Sequence, residues 1–169
     1  LLFLLRGRAA ADALDDEAFA QSGVRDCKAF FSGLERLLTR ETRVLDIGCG
    51  LGRMDAVIAP AVASVTGIDI ASKMIEQARE RHQAQDILSF VVGNGIDLNG
   101  LDDASFDLVY SHVVFQHAPA PVFFTYAQDA FRVLVPGGDF VFQIVEQGEN
   151  ELPEPPDSDT FELRRFSEA

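Results

Sequence analysis

Apolar positions keep a helical period as far as residue 40 and then switch to short, dense runs. In the first stretch Leu14, Ala18 and Phe19 recur at helical spacing, and Phe30, Phe31, Leu34, Leu37 and Leu38 form a second apolar stripe. Gly23 falls between them, so the pattern predicts two helices with a break over 9–40. From residue 43 onward, runs rich in β-branched and aromatic residues predict five strands, at 44–47, 65–68, 88–92, 106–110 and 140–145. Helical patterns fill the gaps at 53–61, 72–84 and 121–134. Nearly unbroken apolar strands alternating with helices are buried on both faces, as in a parallel α/β sheet with right-handed crossovers. The expected fold is therefore a Rossmann-like, doubly wound sheet of five parallel strands.

The pattern fades after residue 146. The stretch 147–159 is acidic and carries Pro153, Pro155 and Pro156, which predicts a loop. Ser167-Glu168 then resembles a helix start with no helix behind it. The expected organisation is a helical segment over 1–40, a core over 41–146, and a Pro-rich acidic tail over 147–169.

Charge and cysteine content narrow the partners. The net charge of −13 opposes a nucleic-acid partner, because that affinity comes largely from Lys and Arg neutralising phosphates. A small-molecule partner is expected instead. Cys27 and Cys49 are too few for a disulfide framework and offer no metal-ligand spacing, which suits a reducing, cytoplasmic setting. The five apolar residues that open the chain are too short to span a membrane or to form a signal-peptide core.

The chemistry concentrates where the first strand ends, at Asp46-Ile47-Gly48-Cys49-Gly50-Leu51-Gly52-Arg53. Glycines here let a ligand approach the backbone, and the following helix offers its free N–H groups to an anionic group. The second strand ends in Asp69, an acid placed to accept hydrogen bonds from a ribose diol. Gly52 has a second reading as a helix–strand packing position, Met74 as a core residue, and Asp69 as a helix cap. Cys49 needs only to be small.

The run from Val44 through Arg53 resembles the first motif of class I S-adenosylmethionine-dependent methyltransferases. The dinucleotide fingerprint would place its third glycine one residue later, where Arg53 stands. The similarity continues through Gly67-Ile68-Asp69-Ile70-Ala71-Ser72-Lys73-Met74-Ile75, Phe106-Asp107-Leu108-Val109-Tyr110-Ser111 and Leu134-Val135-Pro136-Gly137-Gly138. The resemblance implies S-adenosylmethionine as cofactor and a small-molecule methyl acceptor. It places Gly48, Cys49, Gly50 and Gly52 at the methionine part, with Asp46 near the ammonium. Asp69 would take the ribose, and Ile70 and Met74 would flank the adenine. Asn94, in Gly93-Asn94-Gly95-Ile96, stands where the family often has Asp. It would reach the adenine amino group through its carbonyl oxygen, with Gly95 in the same turn and Ile96 over the ring. Ser111 and His112 would line the site near the methyl.

Methyl transfer needs a general base only when the nucleophile must lose a proton. His112 and His117 follow the fourth strand and are the candidates. Two other functions compete with this one. A nicotinamide-dependent oxidoreductase is opposed by the glycine spacing and by Val114, where the short-chain class has a lysine after Tyr110. A non-catalytic, methyltransferase-like binding domain is opposed by the intact acids and glycines. The family usually continues with a further helix and an antiparallel strand pair, so a C-terminal truncation is expected.

Overall fold

The computed structural model describes residues 16–146 and 165–166. The expectations for Leu14, the apolar opening, the Pro-rich stretch and the start at Ser167 lie outside them. Five strands form one parallel sheet: β1 (Arg43–Ile47), β2 (Ser64–Asp69), β3 (Leu88–Val92), β4 (Phe106–Ser111) and β5 (Leu134–Phe142). Their order is β3-β2-β1-β4-β5, so the chain reverses its direction of winding between β1 and β4. Ligands of such sheets bind at that switch point, outside the carboxyl ends of the strands. Two-residue strands β6 (Val145–Glu146) and β7 (Arg165–Phe166) pair separately.

Helices cover both faces. β1 sends Leu45 and Ile47 to one face, where α4 (Ala120–Val133) packs Tyr126, Ala130 and Val133 against them. It sends Val44 to the other, under α1 (Asp16–Phe30) and α2 (Arg53–Ile58). The remaining α-helix, α3 (Ser72–Arg81), buries Ile75 and Ala78 against Phe90 and Cys49. Strand alternation thus divides the apolar residues between two cores, as the side-chain period of two requires. Among the described residues, no helix is long and apolar enough to cross a membrane.

Three expectations change, the first being that beyond Phe30, where α1 ends, the stripe to Leu38 forms a turn and a 3-10 helix (Glu35–Leu37) in place of a second α-helix. Gly23 does not break a helix: α1 runs through it, burying Phe19, Gly23 and Cys27 at intervals of four. A Cβ at Gly23 would collide with the carbonyl oxygen of Arg53, so the glycine permits close contact between α1 and α2. Cys27 Sγ lies 3.6 Å from the Met54 carbonyl, and Arg53 Nη1 meets Asp26 Oδ2 at 2.5 Å. Strand β5 also starts earlier than expected, at Leu134. Its register moves from Phe106↔Leu134 to Leu108↔Asp139, so Pro136, Gly137 and Gly138 form an excursion inside the strand. Gly137 has φ +85° there, which explains why the sequence reads as a turn.

Candidate active site

The backbone turns sharply after Ile47. Gly48 N–H and Cys49 N–H both donate to the Ile68 carbonyl, at 2.7 and 3.2 Å, which ties the turn to β2. Gly48, Gly50 and Gly52 all have positive φ, at 85°, 56° and 73°, a region that L side chains rarely adopt. The three glycines face different surroundings. At Gly48 an added Cβ would strike the Val114 side chain, and at Gly52 it would lie 2.6 Å from the Phe90 ring. At Gly50 the nearest atom would be Met74 Sδ at 3.9 Å. Of the three, Gly50 has the most open surroundings, while Gly52 packs closely against Phe90 of β3.

Asp69 closes the other side of this opening. Gly50 N–H donates to its Oδ2 at 3.0 Å and Ala71 N–H to its Oδ1 at 2.8 Å. Each carboxylate oxygen keeps a second lone pair, enough for two vicinal hydroxyls. Three large apolar side chains lie exposed around it: Ile70 (66%), Ile96 (57%) and Met74 (38%). A Cβ on Gly95, which has φ +77°, would sit 3.1 Å from Ile70 Cγ2, so the 93–96 turn lies against the residue that follows Asp69. An acid with free lone pairs beside an uncovered apolar ledge matches a sugar joined to a flat heterocycle.

Asn94 does not present its carbonyl to this ledge. Its Oδ1 accepts Ile96 N–H at 2.8 Å and Asp97 N–H at 3.0 Å, and its Nδ2 donates to Asp97 Oδ1 at 2.7 Å. Both lone pairs of Oδ1 are thus used to build the turn, a common use of Asn side chains in loops. Ser111 departs from its expected place too. It is fully buried, and its hydroxyl donates to the Ile47 carbonyl at 2.9 Å, joining β4 to β1. Cys49 is buried, with Sγ filling the space left by Gly67, and burial raises its pKa, which favours the thiol over the thiolate.

Beneath the turn lies a buried acidic group of which the sequence singled out only Asp46. Asp46 is buried and pairs in register with Tyr110 of β4. The Tyr110 hydroxyl lies 2.8 Å from Asp46 Oδ2 and 2.9 Å from Asp55 Oδ1. Asp55 is completely buried on α2. Burial pushes both carboxyls above the usual carboxylate range, and for Asp46 the charge of Asp55 adds to the shift. The available signal was an acid between Met54 and Ile58, on the apolar side of a short helix.

His112 and His117 lie beyond the end of β4. The His112 ring stands edge-on to Phe30 of α1, with centroids 5.2 Å apart. Burial, and then the charge of Arg53, lowers its pKa, so the neutral imidazole is favoured. Between them, Val113 has φ +62°, a strained conformation for a β-branched residue. His117 ends a 3-10 turn (Phe115–His117), with its Nε2 3.2 Å from Gln116 Nε2.

Residues 45–142 match the family model described as a methyltransferase domain. The chain belongs to this family. It is 35% identical over 101 residues to 2-methyl-6-phytyl-1,4-hydroquinone methyltransferase of a Synechocystis strain, covering 59% of this chain and 31% of that protein. It is 40% identical over 101 residues to 27-O-demethylrifamycin SV methyltransferase of Amycolatopsis mediterranei, covering 57% and 36%. The chain thus spans about a third of these two curated relatives. Among solved structures, a SAM-dependent methyltransferase from Methanosarcina mazei superposes with TM-score 0.60 at 30% identity, covering 70% of this chain and 58% of the other. A Haemonchus contortus phosphoethanolamine N-methyltransferase 1 shares the fold, with TM-score 0.65 at 17% identity over 98% of this chain and 40% of its own. Within a methyltransferase domain, the opening between Gly50 and Asp69 is the candidate cofactor site.

Proposed function

We propose that this chain forms the S-adenosylmethionine-binding core of an enzyme that methylates a small molecule. The observation that carries the reading is the Gly50–Asp69 pair: an open glycine backbone hydrogen-bonded to an acid whose outer lone pairs are free. The residues fit the cofactor. Asp69 holds the ribose diol, while Ile70, Met74 and Ile96 supply apolar cover for the adenine. Gly50 lets the amino-acid part approach the backbone, and Asp46 attracts its ammonium. S-adenosylmethionine supplies an electrophilic methyl on a sulfonium, whose departure leaves a neutral thioether. No acid is needed for that leaving group. The chain therefore contributes mainly by orienting the reactants, an effect worth up to about 7–11 kcal/mol in well-placed systems, and by excluding water.

The acceptor belongs to the same proposal. Relatives named for a hydroquinone and for a rifamycin support a small molecule, and the charge of −13 disfavours a nucleic acid. Where the acceptor attacks through a hydroxyl, His112 is the first candidate base, since its neutral ring can take a proton. His117 is the second. The cytoplasmic setting rests on the two cysteines alone.

Heat denaturation with added ligand tests the reading, because a ligand bound only by the folded state raises the midpoint. S-adenosylhomocysteine should raise it and NAD should not. The opposite result would replace the methyltransferase reading with an oxidoreductase.

A further inference from the structure

A hydroxyl placed between two carboxyls has one proton to give. Tyr110 Oη lies within 2.9 Å of both Asp46 Oδ2 and Asp55 Oδ1. Were both carboxyls ionised, one of these contacts would set lone pair against lone pair in a buried space. Asp55 Oδ2 is also buried with no hydrogen-bond partner, a costly place for carboxylate charge. One added proton removes both conflicts.

We propose that Asp55 is a positioning residue acting through Asp46: the two carboxyls share one proton in the free protein and release it to solvent when a cationic ammonium settles against Asp46. The proposal rests on the reading above that the methionine part of the cofactor lies beside Asp46. The proton balance is simple. The pair passes from one negative charge to two, the ammonium brings one positive charge, and the proton goes to buffer.

The surroundings favour such a pair. Asp69 at the end of β2 adds negative charge that helps Asp46 keep a proton. On the helical side, Arg53 of α2 is engaged with Asp26 of α1, so this cation is already paired. Cys27 from α1 and Cys49 from the turn feel both carboxyls, and burial first, then those charges, keeps the two thiols protonated. His112, beyond β4, is pushed toward its neutral form by burial and by Arg53. Tyr110 itself stays a phenol, because burial and the two acids raise its pKa well above the usual value.

Calorimetric titration of the chain with S-adenosylhomocysteine tests this, in paired buffers of different ionisation heat between about pH 5.5 and 8. The wild type should release a fraction of a proton that grows toward the acid end, with affinity falling there by up to about tenfold per pH unit. Asp55→Asn, a neutral group of the same shape, should release none and bind with an affinity independent of pH. Tyr110→Phe removes a donor to the pair and should move the midpoint of proton release to higher pH. Equal proton counts in wild type and Asp55→Asn, or an unmoved midpoint in Tyr110→Phe, would overturn the proposal. Binding by the wild type with no proton release overturns this proposal alone. Absence of binding overturns the cofactor reading and this proposal with it.

Discussion

Gly50 donates its N–H to Oδ2 of Asp69 at 3.0 Å, so the turn after β1 and the acid after β2 are fastened to each other. The bond fixes the carboxylate while leaving its outer lone pairs for a ligand. Asp69→Ala should therefore remove both the ribose contacts and the tie on the turn. Charge-assisted hydrogen bonds are worth roughly 1.5–3 kcal/mol each, so affinity for S-adenosylhomocysteine should fall at least about 10-fold to 100-fold. Calorimetric titration of the variant, with far-ultraviolet circular dichroism to check the fold, measures it.

The close contact at Gly23 gives a prediction of opposite sign to helix propensity. Alanine is favoured over glycine in a helix interior by about 1 kcal/mol. Here its Cβ would meet the Arg53 carbonyl, and relieving that clash means separating α1 from α2. Gly23→Ala should destabilise the protein by about 1–3 kcal/mol, the usual range for overpacking. Urea denaturation decides the sign.

Val113 holds a positive φ at which its branched side chain is strained, by roughly 1–3 kcal/mol. Glycine relieves the strain but adds about 0.5–1 kcal/mol of chain entropy cost. Because Val113 is 40% exposed, little burial is lost. Val113→Gly should raise the thermal midpoint, whereas Val114→Gly, which empties the space against Gly48, should lower it.

Asp107 accepts from Arg43 three times: from its backbone N–H at 2.8 Å, Nε at 2.9 Å and Nη2 at 3.1 Å. The Arg43 hydrogen bonds hold the Asp107 carboxyl below its usual range. Its stabilising effect is thus present above the unfolded pKa, about 4, and is lost as pH falls through the lower folded value. The pair is partly exposed, so the effect should be small, about 1 kcal/mol or less. Asp107→Asn should be the less stable protein at pH 7, with the difference shrinking in acid, as denaturation at several pH values would show.

What the sequence made legible follows from what each signal depends on. The run at 44–47 marks a strand because burial on both faces favours apolar residues there, a local property, whereas β3 at the sheet edge buries only Phe90 and leaves Val91 and Val92 exposed, so its apolar run overstated its burial. Gly50 and Asp69 were legible because the winding of the sheet fixes where a first turn and a second strand end. Gly23 was misread because a glycine serves equally as a break or as a place of close approach, and its neighbour Arg53 lies thirty positions away in the chain. The start of β5 was hidden by Pro136, Gly137 and Gly138, whose turn chemistry occurs inside the strand. Ser111 and Asn94 lie beside the expected ligand in sequence, but hydrogen bonds within the protein claim their polar atoms. Asp55 gained its meaning only from Tyr110, a residue on another strand.

Because α1 rests on the backbone of Arg53, the residue that follows the glycine turn, the N-terminal helix and the turn form one mechanical unit. Lengthening, tilting or recruiting that helix would tug on the turn from outside. Variation upstream of the first strand can therefore shift the glycine turn without altering any residue within it.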